Sequence, residues 1–419
     1  MKINLSQLAP RWRKIVRDIG QEADRQGVFA YLVGGIVRDL LLKRKDLDLD
    51  IVLETDAIEF ARKFVQGRDI RLIPYSEFRT VSLEYPGGIR VDLVTARKEV
   101  YPRSGALPVV SPGTLQEDLF RRDFTINAMA IAINGDRLGE LIDPYGGHRD
   151  LKGKRIRVLH DQSFVDDATR ILRAIRFEQR FGFRIDSHTL KLLREAIVKN
   201  VVDNIKPARY FEEFSKILSK EPSPVKALTR LSQLGAMQFL GSKKRPDFRL
   251  LQKIEKGLPR LIKNKICQWQ DRDLIFLMGL FAGLDSAGVE RVTSRFQLSR
   301  RYRENLILGL QKRKIAGELN SSRLRRSQIY EVLKSLDIPS LVFIRLTVVP
   351  RIGKRIDQFL LHGRYVKLKI DGKDLQRLGV APGKRLGEIQ NLLLQRKIDQ
   401  GWSTRAEEIR QARQLIGQE

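Results

Sequence analysis

The sequence predicts an α/β domain built on a mixed sheet with flanking helices, followed by a mainly helical region. Three observations predict it. Strand-like runs bounded by glycine turns alternate with helical spacing as far as about Tyr145, and from Leu159 the apolar period changes to long helical stretches. The chain, 419 residues and 48.3 kDa, also exceeds one ordinary core, so two to four packed domains are expected.

Each element follows from its residues. Up to about Gly20, Ile15, Val16 and Ile19 lie between basic residues, as in an amphipathic helix. FAYLVGG reads as a strand broken by Gly34 and Gly35, and IVRDLLLKR resumes helical spacing, so a glycine turn opens a helix. Such a turn exposes backbone N–H groups to phosphates. DLDLDIVLE alternates carboxylates with aliphatic residues at period two, the pattern of a strand with one acidic and one packed face. DAIEFARKFV reads as a helix, and IRLIPY, TVSLEY and IRVDLVTA as strands parted by PGG and similar turns. Helical stretches then follow in DDATRILRAIRFEQRFGF, DSHTLKLLREAIV, ARYFEEFSKILS and LIFLMGLFAGL. Proline, glycine and charge interrupt the pattern at Lys220–Pro224 and Gly241–Asp247, which mark boundaries.

The 79 Lys and Arg against 50 Asp and Glu give a net charge of +29, which favours polyanions, nucleic acid first, although a solvated basic surface has the same composition. One cysteine, Cys267, excludes an intramolecular disulfide and a cysteine-rich zinc site and fits a reducing cytoplasm. No apolar run is long enough to span a bilayer, and the four histidines have no paired metal-ligand spacing. The expected location is cytoplasmic, with no membrane association and no stable protein partner implied.

Asp48 and Asp50, two apart on a strand, project from one face and can hold Mg²⁺ jointly; Asp46 shares the face nearer the loop. Taken alone, the same alternation also fits an acidic edge strand that resists aggregation. Asp92 joins such a site only if its strand lies beside the first. In RRDFTINAMA, adjacent arginines before an apolar helix suit phosphate oxygens, with Arg122 favoured over Arg121. In DDATRILRAIRF, Asp167 and Arg170 on one helix face pair an acceptor with donors, a combination able to read a base edge. Arg173 and Arg176 repeat that face, either toward a triphosphate, as braces of a pocket, or as intrahelical partners of Asp166 or Asp167. RKEVYPRSGALPVV, with glycine and two prolines, reads as a mobile loop.

GGIVRD followed by DLD, then RRDFTINAMA, LIDPYGGHRD and DDATRILRAIRF in that order, resembles the class II tRNA nucleotidyltransferases, which comprise CCA-adding enzymes and bacterial poly(A) polymerases. SFVDDATRILRAIRFEQRFGF looks closest to the A-adding branch, and the match is strongest before about Leu218. The resemblance implies a polymerase-β-like head over residues 1–145, then an all-α neck (146–220), body (221–325) and tail (326–419). It further implies transfer of the 3′-terminal A, or of CCA, to tRNA from ATP, or from ATP and CTP, with release of pyrophosphate. Asp48 and Asp50 would hold two Mg²⁺ ions. Gly34, Gly35, Arg38, Arg122, Asp123, Asn127, Asp167, Arg170, Arg173 and Arg176 would bind the nucleotide. By the same match Asp143, Gly146 and Gly147 shape the head–neck joint, Arg209 and Glu213 hold helices in position, and IDGKDLQRLGVAPGKRLGEI belongs to a tRNA-binding tail. Poly(A) addition and a non-catalytic RNA binder on the same scaffold are the alternatives.

Overall fold

The computed structural model describes residues 1–44, 49–240 and 245–417. Helix α1 (Pro10–Gln26) buries Ile15, Val16, Ile19 and Ala23 along one face and ends at Gly27, whose φ of 65° stops it. Strand β1 (Ala30–Val33) has all four side chains buried, which marks it as central. Helix α2 (Gly35–Leu41) and strand β2 (Leu49–Leu53) follow. In α3 (Ala57–Phe64), Asp56 caps the first turn by accepting from the N–H groups of Ile58 and Glu59. Its Ala57, Phe60, Ala61 and Phe64, at helical spacing, are buried; each phenylalanine contributes about 2 to 3 kcal/mol.

Strands β3 (Arg71–Tyr75), β4 (Thr80–Tyr85) and β5 (Ile89–Thr95) come next, then β6 (Arg97–Val100), β7 (Val109–Pro112), helix α4 (Leu115–Phe120), β8 (Ala130–Ala132) and β9 (Leu141–Ile142). Seven of them form one sheet in the order β3-β4-β5-β2-β1-β8-β9. Only the β2–β5 pairing in it is parallel, so the sheet is mixed as expected. Pro74 is tolerated because β3 is an edge strand. Tyr31, Val33, Val52, Ala96, Leu115, Leu119, Ala128, Ala130 and Ala132 make one core under α4.

Two expectations fail locally. RRDFTINAMA is no helix: Thr125–Asn127 is a 3₁₀ turn that enters β8. Phe124, Ile126, Ala128, Met129, Ala130 and Ile131 are all buried, and a short apolar run buried on every side carries no period to separate helix from strand. The stretch 97–110 is not wholly loop, because β6 and β7 pair antiparallel from Arg97↔Pro112 to Val100↔Val109; its glycine and two prolines, Gly105, Pro102 and Pro108, all sit in the connection between them.

Helices α5 (Gly147–Lys152), α6 (Ser163–Asp166), α7 (Thr169–Phe181), α8 (Ser187–Val198) and α9 (Pro207–Lys220) follow, with the two-residue strands β10 (Arg155–Ile156) and β11 (Arg184–Ile185) paired parallel among them. Twelve more helices, from Pro224–Gln233 to Arg405–Ile416, complete the described chain. Contacts divide it into two compact units, Met1–Phe214 with Arg230–Phe239, and Ser215–Thr229 with Leu240–Glu419. In the second unit every residue of the helix Arg272–Phe281 is buried, the signature of a central helix. Among the described residues, no helix is long and apolar enough to cross a membrane.

Candidate active site

The site grows from the turn after β1. Gly34 has φ 75°, a left-handed conformation, and a Cβ there would lie 2.5 Å from Nη1 of Arg122. Glycine is therefore required twice over, by backbone and by space. No side chain caps α2; the Gly34 N–H donates to the Met129 carbonyl at 3.3 Å, and the first-turn amides from Gly35 onward face an external acceptor.

On β2, Asp50 stands in register with Asp92 of the parallel neighbour β5. Asp92 accepts from Ser82 Oγ at 2.5 Å and from Arg90 Nε at 3.1 Å, which fixes its carboxylate. The strand of Asp92 thus lies beside that of Asp50, the condition set for its joining the site. Asp48 and Asp46 lie outside the described residues. Among the described residues no group of three or more His, Cys, Asp or Glu is arranged to hold a metal ion. Two laterally paired carboxylates on a sheet nevertheless fit a hard divalent cation, which takes oxygen ligands from one or two carboxylates and from its substrate.

Beside this strand runs a continuous polar chain. Arg38 of α2 donates from Nε and Nη2 to Asp39 (2.9 and 2.8 Å) and from Nη1 to Oδ1 of Asn127 (2.5 Å). The amide of Asn127 donates in turn to Oδ1 of Asp123 at 2.8 Å, so its orientation is set at both ends. Oδ2 of Asp123 receives Nε of Arg173 at 2.7 Å. Burial alone would raise the pKa of Asp123, but Arg173 and the Asn127 amide outweigh it and hold the carboxyl at about 2. Arg176 pairs with Glu213 at 2.8 Å, and Arg173 reaches the same carboxylate at 3.7 Å. Both arginines brace α7, and their carboxylate partners in these contacts are Asp123 and Glu213 rather than Asp166 or Asp167.

The adjacent arginines separate. Asp118, fully buried, accepts Nε and Nη2 of Arg121 on Oδ1 (2.9 and 2.6 Å) and Nη2 of Arg122 on Oδ2 (2.9 Å). Despite burial, Arg122 and then Arg121 keep this carboxyl below the usual carboxylate range. Arg122 covers Gly34, and its buried Nε has no hydrogen-bond partner, an unused donor directly beside the glycine turn.

Asp167 and Arg170 do not share a helix face. Asp167 terminates α6 in an extended conformation (φ −140°, ψ 97°), ahead of α7. Its Oδ1 accepts from the N–H and hydroxyl of Thr169 (3.0 and 2.7 Å), a local alternative to continuing the helix, and Oδ2 takes Nη2 of Arg209 at 2.7 Å. Arg170 is anchored by Ser163 Oγ (2.6 Å) and the carbonyl of Arg121 (2.7 Å). The two groups are thus held separately, each by partners from another element. At the joint, Asp143 accepts from the N–H groups of Gly147 and His148, and a Cβ on Gly147 would meet the Thr125 carbonyl at 2.1 Å.

Sequence reasoning passed over Asp118, Asp39 and Phe177. Asp118 was readable from its i,i+3 and i,i+4 spacing to Arg121 and Arg122. Phe177, whose ring lies 5.2 to 5.3 Å from the guanidiniums of Arg38, Arg173 and Arg176, is one apolar position of a helical stretch and carries no sequence signal of that role.

Paired carboxylates on a mixed sheet thus stand next to a glycine turn and an arginine with an unused donor. The model of the poly A polymerase head domain matches residues 30–157, and that of the probable RNA and SrmB-binding site of polymerase A matches 182–242. The A-adding tRNA nucleotidyltransferase of Geobacter sulfurreducens is 35% identical over 96% of this chain, which spans 47% of that relative's length. The A-adding tRNA nucleotidyltransferase of Halalkalibacterium halodurans is 30% identical over 88% of this chain and is covered over 84% of its own length. A solved Thermotoga maritima CCA-adding enzyme complexed with tRNA-CCA superimposes with a TM-score of 0.77 at 33% identity, covering 99% of this chain and 97% of that one. The chain belongs to the class II tRNA nucleotidyltransferases, and it spans about half the length of the first of these curated relatives.

Proposed function

We propose that this chain adds the terminal A to the 3′ end of tRNA, using ATP and Mg²⁺ and releasing pyrophosphate. The register of Asp50 with Asp92 beside the Gly34 turn is the observation that carries the reading. The A-adding names of the two curated relatives support A addition, and the tRNA in the Thermotoga complex supports the acceptor. The CCA-adding neighbour also keeps full CCA addition, from CTP and ATP, as the second reading.

In this mechanism Asp48 and Asp50 would hold the metal ions, and Asp92 would steady or join them. Two bound Mg²⁺ ions would supply an acidified 3′-hydroxyl and charge neutralisation at the leaving pyrophosphate. Gly34 lets the backbone approach the phosphates closely, and the amide of Gly35 and the Arg122 guanidinium bind their oxygens. Asp123 and Asn127, fixed by Arg173 and Arg38, take the ribose. Asp167 accepts from the adenine amino group, and Arg170 donates to a ring nitrogen, so protein groups stand in for a template base. No protein nucleophile takes part. Residues 1–145 act as the catalytic head and 146–220 as the selecting neck. The body (221–325) and tail (326–419) grip tRNA by its backbone, with the exposed Arg323, Arg325 and Arg326 among the contacts. The setting is cytoplasmic.

Asp50→Ala tests the reading. Incorporation should vanish while tRNA binding persists; incorporation that survives removes Asp50 from the metal site.

A further inference from the structure

A cleft of about 680 Å³ opens among β6, α4 and the segment that leads into α6, and Arg170 is the one residue of the proposed nucleotide site in its lining. Its wall carries the aromatic rings of Tyr101, Phe120, Tyr145 and His160. Phe120, 44% exposed, packs against Tyr145 with centroids 5.6 Å apart and against His160 with centroids 5.2 Å apart. The Tyr145 hydroxyl donates to the Gln116 carbonyl at 3.0 Å, which fixes that ring. Burial, and then the charge of Arg170, lower the pKa of His160, so its imidazole is neutral near pH 7 and able to stack. An aromatic this exposed contributes little to a core; its face is available to a planar ligand.

The charges around it narrow the ligand. Three cations line the cleft. Arg121 is engaged by Asp118 and Glu99, and Arg170 by Ser163 and the Arg121 carbonyl. Lys98 is exposed. Glu99, Glu117 and Asp166 contribute negative charge to the same lining. A nucleoside triphosphate would meet too little positive charge here. One base with a single phosphodiester fits better, with an aromatic face to stack on, one exposed cation, and the exposed amides of Gln116 and Gln162 for base edges.

We infer that this cleft binds one unpaired nucleobase of the RNA acceptor strand, stacked on Phe120. The inference rests on RNA being the substrate, as proposed above. The cleft is separate from the sugar and phosphate contacts: Asp118 divides the arginine pair, sending Arg121 to its wall and leaving Arg122 over Gly34.

The test measures equilibrium binding of end-labelled tRNA by the full chain, with no catalytic step in the readout. Phe120→Ala should weaken tRNA binding roughly tenfold, as loss of one base–aromatic stack does, with ATP affinity unchanged. Phe120→Trp should preserve tRNA binding. An abasic nucleotide at one unpaired position of the acceptor end should weaken binding to the natural chain by a similar factor and add nothing to Phe120→Ala. Unchanged tRNA affinity in Phe120→Ala overturns the proposal, as does additive loss at every abasic position. Weakened ATP binding with intact tRNA binding overturns it too, since the occupant is then the free nucleotide. Because Phe120 is half exposed, its truncation leaves the core intact, and Phe120→Leu separates loss of stacking from loss of bulk. A natural chain that binds tRNA and incorporates nothing refutes the proposed activity and leaves this comparison standing.

Discussion

Nε and Nη2 of Arg173 both approach Oδ2 of Asp123, at 2.7 and 2.6 Å, and this pair fastens α7 to the turn that carries Asn127. Asp123 is buried, and its pKa, about 2, lies below the value near 4 of an unfolded aspartate. A depressed carboxyl contributes stability that is present in full above pH 4 and is lost as pH falls through about 2. The contribution is about 2 to 3 kcal/mol. Denaturant melts between pH 5 and 2 should show the natural chain losing more stability than Asp123→Asn; parallel curves would contradict the pairing. At neutral pH, Asp123→Ala should cost about 3 kcal/mol, because Arg173 is left without its closest partner.

Asp92→Asn isolates the second carboxylate of the sheet. The change keeps volume and leaves a carbonyl oxygen to accept from Ser82, so the strand should fold normally. Incorporation at limiting Mg²⁺ should fall 10- to 100-fold and recover in part at high Mg²⁺, as for a residue that orients or joins a metal site. An unchanged Mg²⁺ requirement would restrict Asp92 to the sheet.

Gly34→Ala strains a backbone at φ 75° and drives a methyl into Arg122. A destabilisation of about 1 to 2 kcal/mol is expected from the backbone alone. Because Arg122 must swing from its place over the turn, KM for ATP should rise roughly tenfold or more. Calorimetry and steady-state kinetics check the two effects separately.

Arg209→Ala releases Oδ2 of Asp167 from its anchor on α9 while leaving the bonds from Thr169. Arg209 acts as a positioning residue here, so the expected loss is in selectivity. The preference for ATP over CTP, measured as a ratio of kcat/KM, should drop roughly tenfold, and Arg209→Lys should restore part of it. An equal loss for both nucleotides would indicate a purely structural role.

In the second unit, Glu408 is fully buried and accepts from the N–H groups of Lys369 (2.6 Å) and Ile370 (3.0 Å) and from the ammonium of Lys397. Glu408→Ala strands a buried ammonium and two amides, and should destabilise that unit by about 3 to 5 kcal/mol. Binding of ATP, assigned to the other unit, should be unaffected.

The strands and helices of the head were legible where one physical signal dominated. DAIEFARKFV carries its cap and its apolar face in the sequence, and IRVDLVTA alternates cleanly. RRDFTINAMA carried no usable period because the fold surrounds it, and β6 and β7, which pair across the connection 101–108, are short strands with little pattern of their own. Within the site, residue types were legible but pairings were not. That Asn127 lies between Arg38 and Asp123, or that Asp167 breaks a helix to reach Arg209, depends on elements 42 to 89 residues apart. The lateral pairing of Asp50 with Asp92 needed the strand order, which alternation alone does not supply.

Incubation of the purified chain with Mg²⁺ and labelled ATP on tRNA ending in CC, with CTP and a tRNA ending at the discriminator base in parallel, tests nucleotidyl transfer most directly. One A added to the CC end, and nothing added to the shorter tRNA, is the expected result. Growth of the shorter tRNA to CCA would replace A addition by full CCA addition, and no incorporation on either tRNA would contradict the assignment of Asp50 and its neighbours as a catalytic site.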